Sequence, residues 1–511
     1  REEDVLKEVG VMKTHDKKRL AAFWALYNIE KGKYSNVAFE ESTKGLAGSE
    51  LAFARELVFG TLKLNLKLDY AINYLKDKRA RIKLKDRILL RLGLYQLDYM
   101  DSVPDYAAVN ETIAIAKKLV KNKVGLINAI LRGYIRKRQE IEDSIDDLPY
   151  IERLVVRYSY PTWFVQEVLN DEVNSSCNKK VPMNLFKQEA EDKETISVAR
   201  KRNLSSSTWF ARKAINGVEV SGGASDYGAI IYGNTDDEVV DKKLIRKVEN
   251  ILRAGNEKAL LCIRTNLKKI TREELVEKIN ELGIEALPGR AEGAINVKGS
   301  GIFDTELYKK GYFSVQDESS QLAIEALDIK DCKVLDLCCG RGGKTFAIIE
   351  QCKNVEVISM DKYEHKILQL KDEAKRLGHE VNIGVNDLFD ENNLDKHCRL
   401  YDTIKYVILD VPCTGSGTVR RRPEIKYAGE DTKLADLVKL QRTLLDRGAE
   451  LTNDEDHLVY MTCSIFQKEN MDNIDAFLKK HSEFKLLQYR QYTPEKDGTD
   501  GFFFADLKRG S

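Results

Sequence analysis

Apolar residues recur at helical spacing through the first third of the chain. Leu20, Phe23, Trp24 and Tyr27 fall at i, i+3, i+4 and i+7 and give one apolar helical face. Ile88, Leu89, Leu92 and Tyr95 repeat the pattern, as do Ile127, Ile130, Leu131 and Tyr134. The first proline is Pro104, which fits long helices before it, and Ser102-Val-Pro-Asp opens another helix after a turn. Residues 15–140 therefore predict an all-helical bundle. Residues 148–169 read as a connector with helical patches. Residues 178–203 are polar with weak periodicity, 218–240 mix Gly, Ser and Asp around a strand-like 229–232, and 241–254 read as an amphipathic helix. No role follows for 177–258.

The period changes at Ala259. Leu260–Asn266 reads as a strand, and Thr271 caps a helix (272–282) with Glu274 at the capping-box position. From Gly311 onward strands and helices alternate, the signature of a parallel sheet. Strands are expected to end at Leu337, Asp361, Asn386, Asp410 and Cys463, with 484–487 and 502–507 closing the sheet as late antiparallel strands. The predicted domains are thus a helical bundle (1–145), a connector with an unassigned segment (146–258), a small α+β subdomain that could hold RNA or merely pack (259–310) and an α/β domain (311–511).

With 511 residues, roughly three domains are expected. Charged residues make up 32% and hydrophobic residues 42%, and no apolar run approaches the ~18 residues of a membrane span. The sequence starts at Arg1 with neither an initiator Met nor a signal-peptide pattern, and is expected to begin inside the natural chain. The formal charge of +1 conceals a basic segment: residues 61–140 hold 18 Lys/Arg against 8 Asp/Glu. Such an excess suits a polyphosphate partner or a solvated helical surface. The nine cysteines are odd in number and form no C-x-x-C pair, so neither a disulfide framework nor a zinc site fits, and a reducing cytoplasm is expected.

Candidate chemistry gathers at the predicted strand ends. Lys333-Val-Leu-Asp-Leu-Cys-Cys-Gly-Arg-Gly-Gly-Lys-Thr345 is a buried strand breaking into a glycine turn before a helix. A P-loop would need Gly where Cys338 stands, and the dinucleotide fingerprint would need Gly at 345. Asp361, at the tip of the next strand, is placed to accept hydrogen bonds from a ribose. A nucleoside without a phosphate cradle suggests S-adenosylmethionine. Asp410-Val-Pro-Cys413 and Thr462-Cys463-Ser464 can each set a thiol over the same crevice. The reaction that needs both is methyl transfer to C5 of a pyrimidine, where a thiolate adding at C6 makes C5 nucleophilic enough to take the methyl. Asp410 can stabilise charge developing on the base, or merely cap the 411–418 loop.

Two resemblances follow from these stretches. Arg55-Glu-Leu-Val-Phe-Gly-Thr-Leu, Leu90-Arg-Leu-Gly-Leu-Tyr-Gln-Leu, Val109–Lys117 and Gly125-Leu-Ile-Asn-Ala-Ile-Leu-Arg are similar to the NusB family of RNA-binding helical domains. Phe313-Ser-Val-Gln-Asp-Glu-Ser-Ser-Gln-Leu, the glycine turn, Asp410-Val-Pro-Cys-Thr-Gly-Ser-Gly, Arg422-Pro-Glu-Ile-Lys, Thr462-Cys-Ser and Asp500-Gly-Phe-Phe-Phe-Ala resemble the Nol1/Nop2/Sun family of RNA 5-methylcytosine methyltransferases. The resemblance is greatest to its bacterial Sun type, which acts on small-subunit ribosomal RNA. It implies a Rossmann-like methyltransferase domain behind a NusB-like bundle, S-adenosylmethionine as cofactor, no metal, and a monomer. It further implies Cys463 as nucleophile and Cys413 as the thiol assisting product release. The cofactor turn would comprise Cys338, Cys339, Gly340, Arg341, Gly342, Gly343 and Lys344, with Asp361, Asp387 and Asp410 around the cofactor and target base.

The family's turn usually carries a small residue and a proline where this chain has Gly340-Arg341. Arg341 lacks proline's fixed φ, and its charge can reach a cofactor carboxylate or RNA. The target cytosine would have to be unpaired or flipped, with the basic bundle and Arg420-Arg421-Arg422 holding phosphates, so binding is expected to weaken steeply with salt. Two rivals remain at this stage. One is a non-catalytic RNA-binding assembly factor; the other is methyl transfer to another acceptor, which would not need Cys463.

Overall fold

The computed structural model describes residues 16–176, 242–299, 301–385, 387–388, 403–428 and 431–510. The readings made for 177–241 lie outside the described residues. The chain divides into two units, Arg1–Asn256 with Arg422–Ala428 and Glu257–Arg421 with Gly429–Ser511.

The first unit is the helical bundle that the apolar spacing predicts. It contains α1 (Lys17–Glu30), α2 (Ser35–Ser42), α3 (Gly48–Lys63), α4 (Asn65–Leu75), α5 (Leu84–Tyr99), α6 (Asp105–Leu119), α7 (Val124–Asp146), α8 (Tyr150–Tyr158), α9 (Thr162–Ser176) and α10 (Lys242–Ala254). Helix α1 departs from the single apolar face expected of it. Every residue from Arg19 to Leu26 is buried, because Ala21, Ala22 and Ala25 let neighbouring helices close over the other sides. Phe23 shares one core with Leu57, Leu90, Leu94 and Leu131. Each buried side chain of this size contributes about 1.5–3 kcal/mol. Part of the positive charge counted in the sequence is also internal. Arg91 makes a two-pronged contact with Asp69 (2.8 and 2.7 Å) and reaches Glu30 at 2.6 Å, while Arg87 meets Asp69 at 3.1 Å.

This unit takes its last piece from far along the sequence. In Arg422–Ala428, fully buried Lys426 donates from Nζ to the carbonyls of Lys63 (3.0 Å) and Ser159 (3.3 Å) and to Asn256 Oδ1. Its ammonium lies 3.7 Å from the centre of the Tyr160 ring, and Tyr427 donates to the Leu62 carbonyl at 3.1 Å. Leu62 and Lys63 end α3, so the segment satisfies carbonyls that a helix terminus leaves open.

The second unit holds two sheets. The smaller has strand order β2-β3-β1-β4, from β1 (Leu261–Thr265), β2 (Glu285–Pro288), β3 (Ala294–Lys298) and β4 (Phe313–Val315), all antiparallel. Helix α11 (Arg272–Glu281) starts with the expected capping box between Thr271 and Glu274, and packs Leu275 and Ile279 on Ile263, Ile295 and Phe313.

The larger sheet runs β10-β11-β9-β8-β5-β6-β7. Strands β5 (Lys330–Leu337), β6 (Lys353–Asp361), β7 (Asn382–Val385), β8 (Ile404–Asp410) and β9 (His457–Thr462) are parallel. Strands β10 (Phe484–Tyr492) and β11 (Phe502–Arg509) close it antiparallel, as expected. Both faces are covered. Leu335 and Leu337 enter one core with Leu445 and Tyr460, and Val334 enters another with Ile348 and Phe504. The strand order reverses between β5 and β8, which opens a crevice beyond the carboxyl ends of those strands.

Candidate active site

The turn after β5 uses left-handed backbone at three positions, two of them glycine. Cys338 has φ 63°, Gly340 59° and Gly342 86°. At Gly342 a side chain has no room either, since an added Cβ would lie 2.5 Å from the Phe346 ring and 2.9 Å from Leu370. The turn leads into α12 (Gly343–Gln351). Cys339 extends the sheet by donating to the Met360 carbonyl at 3.0 Å, and its side chain joins the core of Phe346, Ile367 and Leu370. It can therefore meet a ligand through its backbone only. Burial pushes the Cys338 thiol up to about 12, so it is an inert thiol at neutral pH. Arg341 is exposed at the tip of the turn.

Asp361, at the end of β6, anchors this turn. One carboxylate oxygen accepts from the Gly340 amide (2.9 Å), the other from the Tyr363 amide (2.9 Å), and Lys366 approaches at 3.5 Å. A carboxylate has about four acceptor positions, so capacity remains for a further donor. Beyond β7, Asp387 is paired with Lys362 at 3.0 Å. Asp410, ending β8, is held by Lys344 of the turn at 2.9 Å, and the Lys344 ammonium stands 4.7 Å from the centre of the Phe502 ring. Asp361, Lys344 and Asp410 thus lie on the adjoining tips of β6, β5 and β8.

Asp336 lies beneath them, fully buried in β5. Its Oδ2 accepts from the Thr345 hydroxyl at 2.6 Å, while Oδ1 has no partner among the described residues. Burial pushes this carboxyl up to about 7, with neighbouring Asp410 adding to the rise. The folded protein therefore keeps a proton that the unfolded chain, with an ordinary carboxyl near 4, releases. Stability should fall as pH rises from about 4 to about 7, by roughly 4 kcal/mol at most. Asp336→Asn removes the titration and is expected to flatten the melting temperature between pH 5 and 8. A wild-type slope retained in the variant would assign the effect to another group.

The two expected thiols meet. Cys413 Sγ and Cys463 Sγ are 3.2 Å apart, within hydrogen-bond reach. That hydrogen bond, with burial behind it, raises Cys413 well above the ordinary thiol range, so Cys413 keeps its proton at neutral pH. The loop carrying Cys413 is drawn onto Cys463 by its backbone: the Gly417 amide donates to the Cys463 carbonyl (3.0 Å), and the Gly501 amide to the Gly417 carbonyl (2.8 Å). A Cβ on Gly417 would fall 2.3 Å from the Gly501 oxygen, so glycine is required here.

The chain matches known families at this point. Residues 325–508 match the model described as 16S rRNA methyltransferase RsmB/F. Residues 325–508 are thus a methyltransferase domain of the RsmB/F type. Residues 16–136 match the NusB family, and 240–301 match the ferredoxin-like domain of the RsmF/B-like methyltransferases. The chain is similar to the probable ribosomal RNA small subunit methyltransferase B of Bacillus subtilis (strain 168), with 28% identity over 96% of this chain and 98% of the relative. It is also similar to the ribosomal RNA small subunit methyltransferase B of Yersinia enterocolitica, with 26% identity over 97% and 99%. Among solved structures, the crystal structure of PH0851 shares its fold, with a TM-score of 0.67 and 22% identity over 98% of this chain and 100% of that one.

One expectation drawn from charge is corrected. Arg420 and Arg421 were expected to hold phosphates, but Arg420 is buried against Asp500 (3.1 Å), and Arg421 joins Asp500 (2.5 Å) to Asp317 (2.8 Å). Three consecutive arginines read as a basic patch only until their carboxylate partners, 80 and 104 residues away, are known. Arg422 is exposed, 3.6 Å from Glu424. Among the described residues no group of His, Cys, Asp and Glu is arranged to hold a metal ion, and no helix is long and apolar enough to cross a membrane.

Proposed function

We propose that this chain transfers a methyl group from S-adenosylmethionine to C5 of a cytosine in small-subunit ribosomal RNA, with Cys463 as the attacking thiol and Cys413 aiding release. The observation that carries this reading is the 3.2 Å approach of two thiols from different strand ends, beside a turn suited to a nucleoside. Methyl transfer to an oxygen or an amine would give the second thiol no task.

The residues present suit the cofactor. The turn from Cys338 to Lys344 exposes backbone at the start of a helix, and an added Cβ on Gly343 would meet nothing within 4 Å. Asp361 keeps acceptor capacity for ribose hydroxyls next to the amides it already binds. When bound, S-adenosylmethionine supplies an electrophilic methyl on a sulfonium. The protein makes the acceptor carbon reactive. Cys463, as thiolate, adds to C6 of the cytosine, and the C5–C6 π electrons move to C5 and onward to the methyl. Asp410, steadied by Lys344, stabilises charge developing on the ring edge. The C5 proton then leaves to a base, the C5–C6 double bond re-forms and the sulfur–C6 bond breaks; Cys413, protonated and in contact with Cys463, assists this release.

The target base must leave any stack to reach the crevice. In this reading the NusB-like unit supplies sequence-independent RNA affinity, and Asp387 and Arg341 lie at the cofactor's outer edge. The chain acts as a monomer without a metal. The test is incubation of the protein with labelled S-adenosylmethionine and unmodified small-subunit RNA, followed by nucleoside digestion. Label is expected in 5-methylcytidine. Label in another nucleoside overturns the C5 assignment, and absence of transfer with intact RNA binding returns the chain to a non-catalytic assembly role.

A further inference from the structure

Behind the two thiols lies a fully buried carboxylate that the mechanism above does not use. Glu469 Oε1 accepts from the Thr414 amide (2.8 Å) and the Gln441 side-chain amide (3.0 Å). Its Oε2 accepts from the Thr414 hydroxyl (2.5 Å) and the Ser464 hydroxyl (2.5 Å). Thr414 follows Cys413, and Ser464 follows Cys463. One carboxylate therefore grips the residue after each thiol.

The residues before the thiols are held from the same place. Gln441 donates to the Pro412 carbonyl at 2.8 Å, and the adjoining Asn470 accepts from the Thr462 hydroxyl at 2.6 Å and donates to the Ser464 carbonyl at 2.9 Å. Ser416 and Ser464 hydroxyls meet at 2.9 Å between the loops. All four donors to Glu469 are neutral, and together they fill the acceptor positions of a carboxylate. An ionised group is kept in a dry interior only where such a complete set of hydrogen bonds compensates it. A neutral side chain could pack this space but could not accept from four donors, three of them on the two thiol loops and the fourth on Gln441.

We propose that Glu469 is a positioning residue that sets the distance and orientation between Cys413 and Cys463, so that the two loops present their thiols as one unit. The inference rests on the thiol roles proposed above. Its consequence is a defect confined to the covalent steps. A thiol displaced by about 1 Å can lose about 10²-fold in rate while cofactor and RNA bind as before.

The experiment compares wild type, Glu469→Ala, Glu469→Gln and Thr414→Val, with Cys463→Ala as control, each full length and normalised to its folded fraction. Steady-state kcat and the KM for each substrate are measured, and adduct formation is followed in a Cys413→Ala background. Glu469→Ala is expected to lower kcat about 10²-fold with both KM values within twofold, and to slow adduct formation in parallel. Glu469→Gln should recover about tenfold of this, because its amide oxygen still accepts while the hydroxyls can turn to accept from its NH2. Thr414→Val, which frees only one loop, should fall between wild type and Glu469→Ala and covers the case in which the alanine variant does not fold. Unchanged kcat in folded variants, or a KM rise that accounts for the whole loss, overturns the proposal. If Cys463→Ala stays active, the thiol reading itself fails. If Cys463→Ala is inactive while the Glu469 and Thr414 variants are normal, only the positioning role falls.

Discussion

Cys463→Ala is expected to abolish methyl transfer, lowering the rate by roughly 10⁴-fold or more, the scale on which removal of an attacking nucleophile acts in covalent catalysis. In the proposed reaction C5 is too weak a nucleophile to take the methyl without the thiolate, so the remaining residues would have nothing to accelerate. Cofactor affinity should be unchanged, because the turn after β5 and Asp361 do not depend on this thiol. Cys413→Ala should fail differently. The attacking sulfur is intact, but the contact at 3.2 Å that would aid its departure is gone. A protein–RNA adduct should then accumulate and survive denaturing electrophoresis. Full activity of Cys463→Ala, or a Cys413→Ala variant that turns over without a trapped adduct, would reject this division of labour.

The difference between these two thiols was not legible from spacing, because both stand just beyond strand ends in turn-like sequence. What the sequence does carry is their common location. A parallel sheet brings its carboxyl ends together, so Asp361, Asp410 and Cys463 had to converge once the alternation of strands and helices was recognised. The glycine turn was legible for a similar local reason, since left-handed backbone at Gly340 and Gly342 restricts the residue type.

Long-range polar pairing was not legible. Glu469 sits in the polar stretch Gln467-Lys-Glu-Asn, for which no role was read, yet it is fully buried because its donors arrive from residues 414, 441 and 464. The arginines at 420 and 421 misled in the opposite direction. Their sequence neighbours are basic, but their spatial neighbours are Asp317 and Asp500. Burial of a charge depends on partners that periodicity does not encode, whereas apolar faces are encoded in the periodicity itself. Within the NusB-like bundle the same limit applies to Lys426, whose acceptors lie more than 160 residues away.

The largest stability effect is expected from another such pair, Arg264 and Glu350, which are 1% and 0% exposed. Arg264 Nε donates to Glu350 Oε2 at 2.7 Å, and its Nη1 donates to Gln316 Oε1 at 2.6 Å and to the Gly343 carbonyl at 3.2 Å. Glu350 also meets His379 Nε2 at 3.0 Å. Arg264→Met keeps an unbranched apolar stem but leaves the buried carboxylate without its main partner, an outcome that costs about 3–5 kcal/mol. For a unit of this size that corresponds to a fall in melting temperature of roughly 6–20 °C. Arg264→Met with Glu350→Gln should recover part of the loss, because the second change removes the stranded charge. The single variant should also weaken S-adenosylmethionine binding, since the Gly343 carbonyl at the cofactor turn loses a donor that comes from the small sheet. Calorimetry on the three proteins separates the alternatives. If Arg264→Met shifts the transition by less than about 2 °C, the pair contributes no more than an exposed ion pair, and the turn is held without it, by contacts such as the Gln316 side-chain amide donating to the Gly343 carbonyl at 3.0 Å.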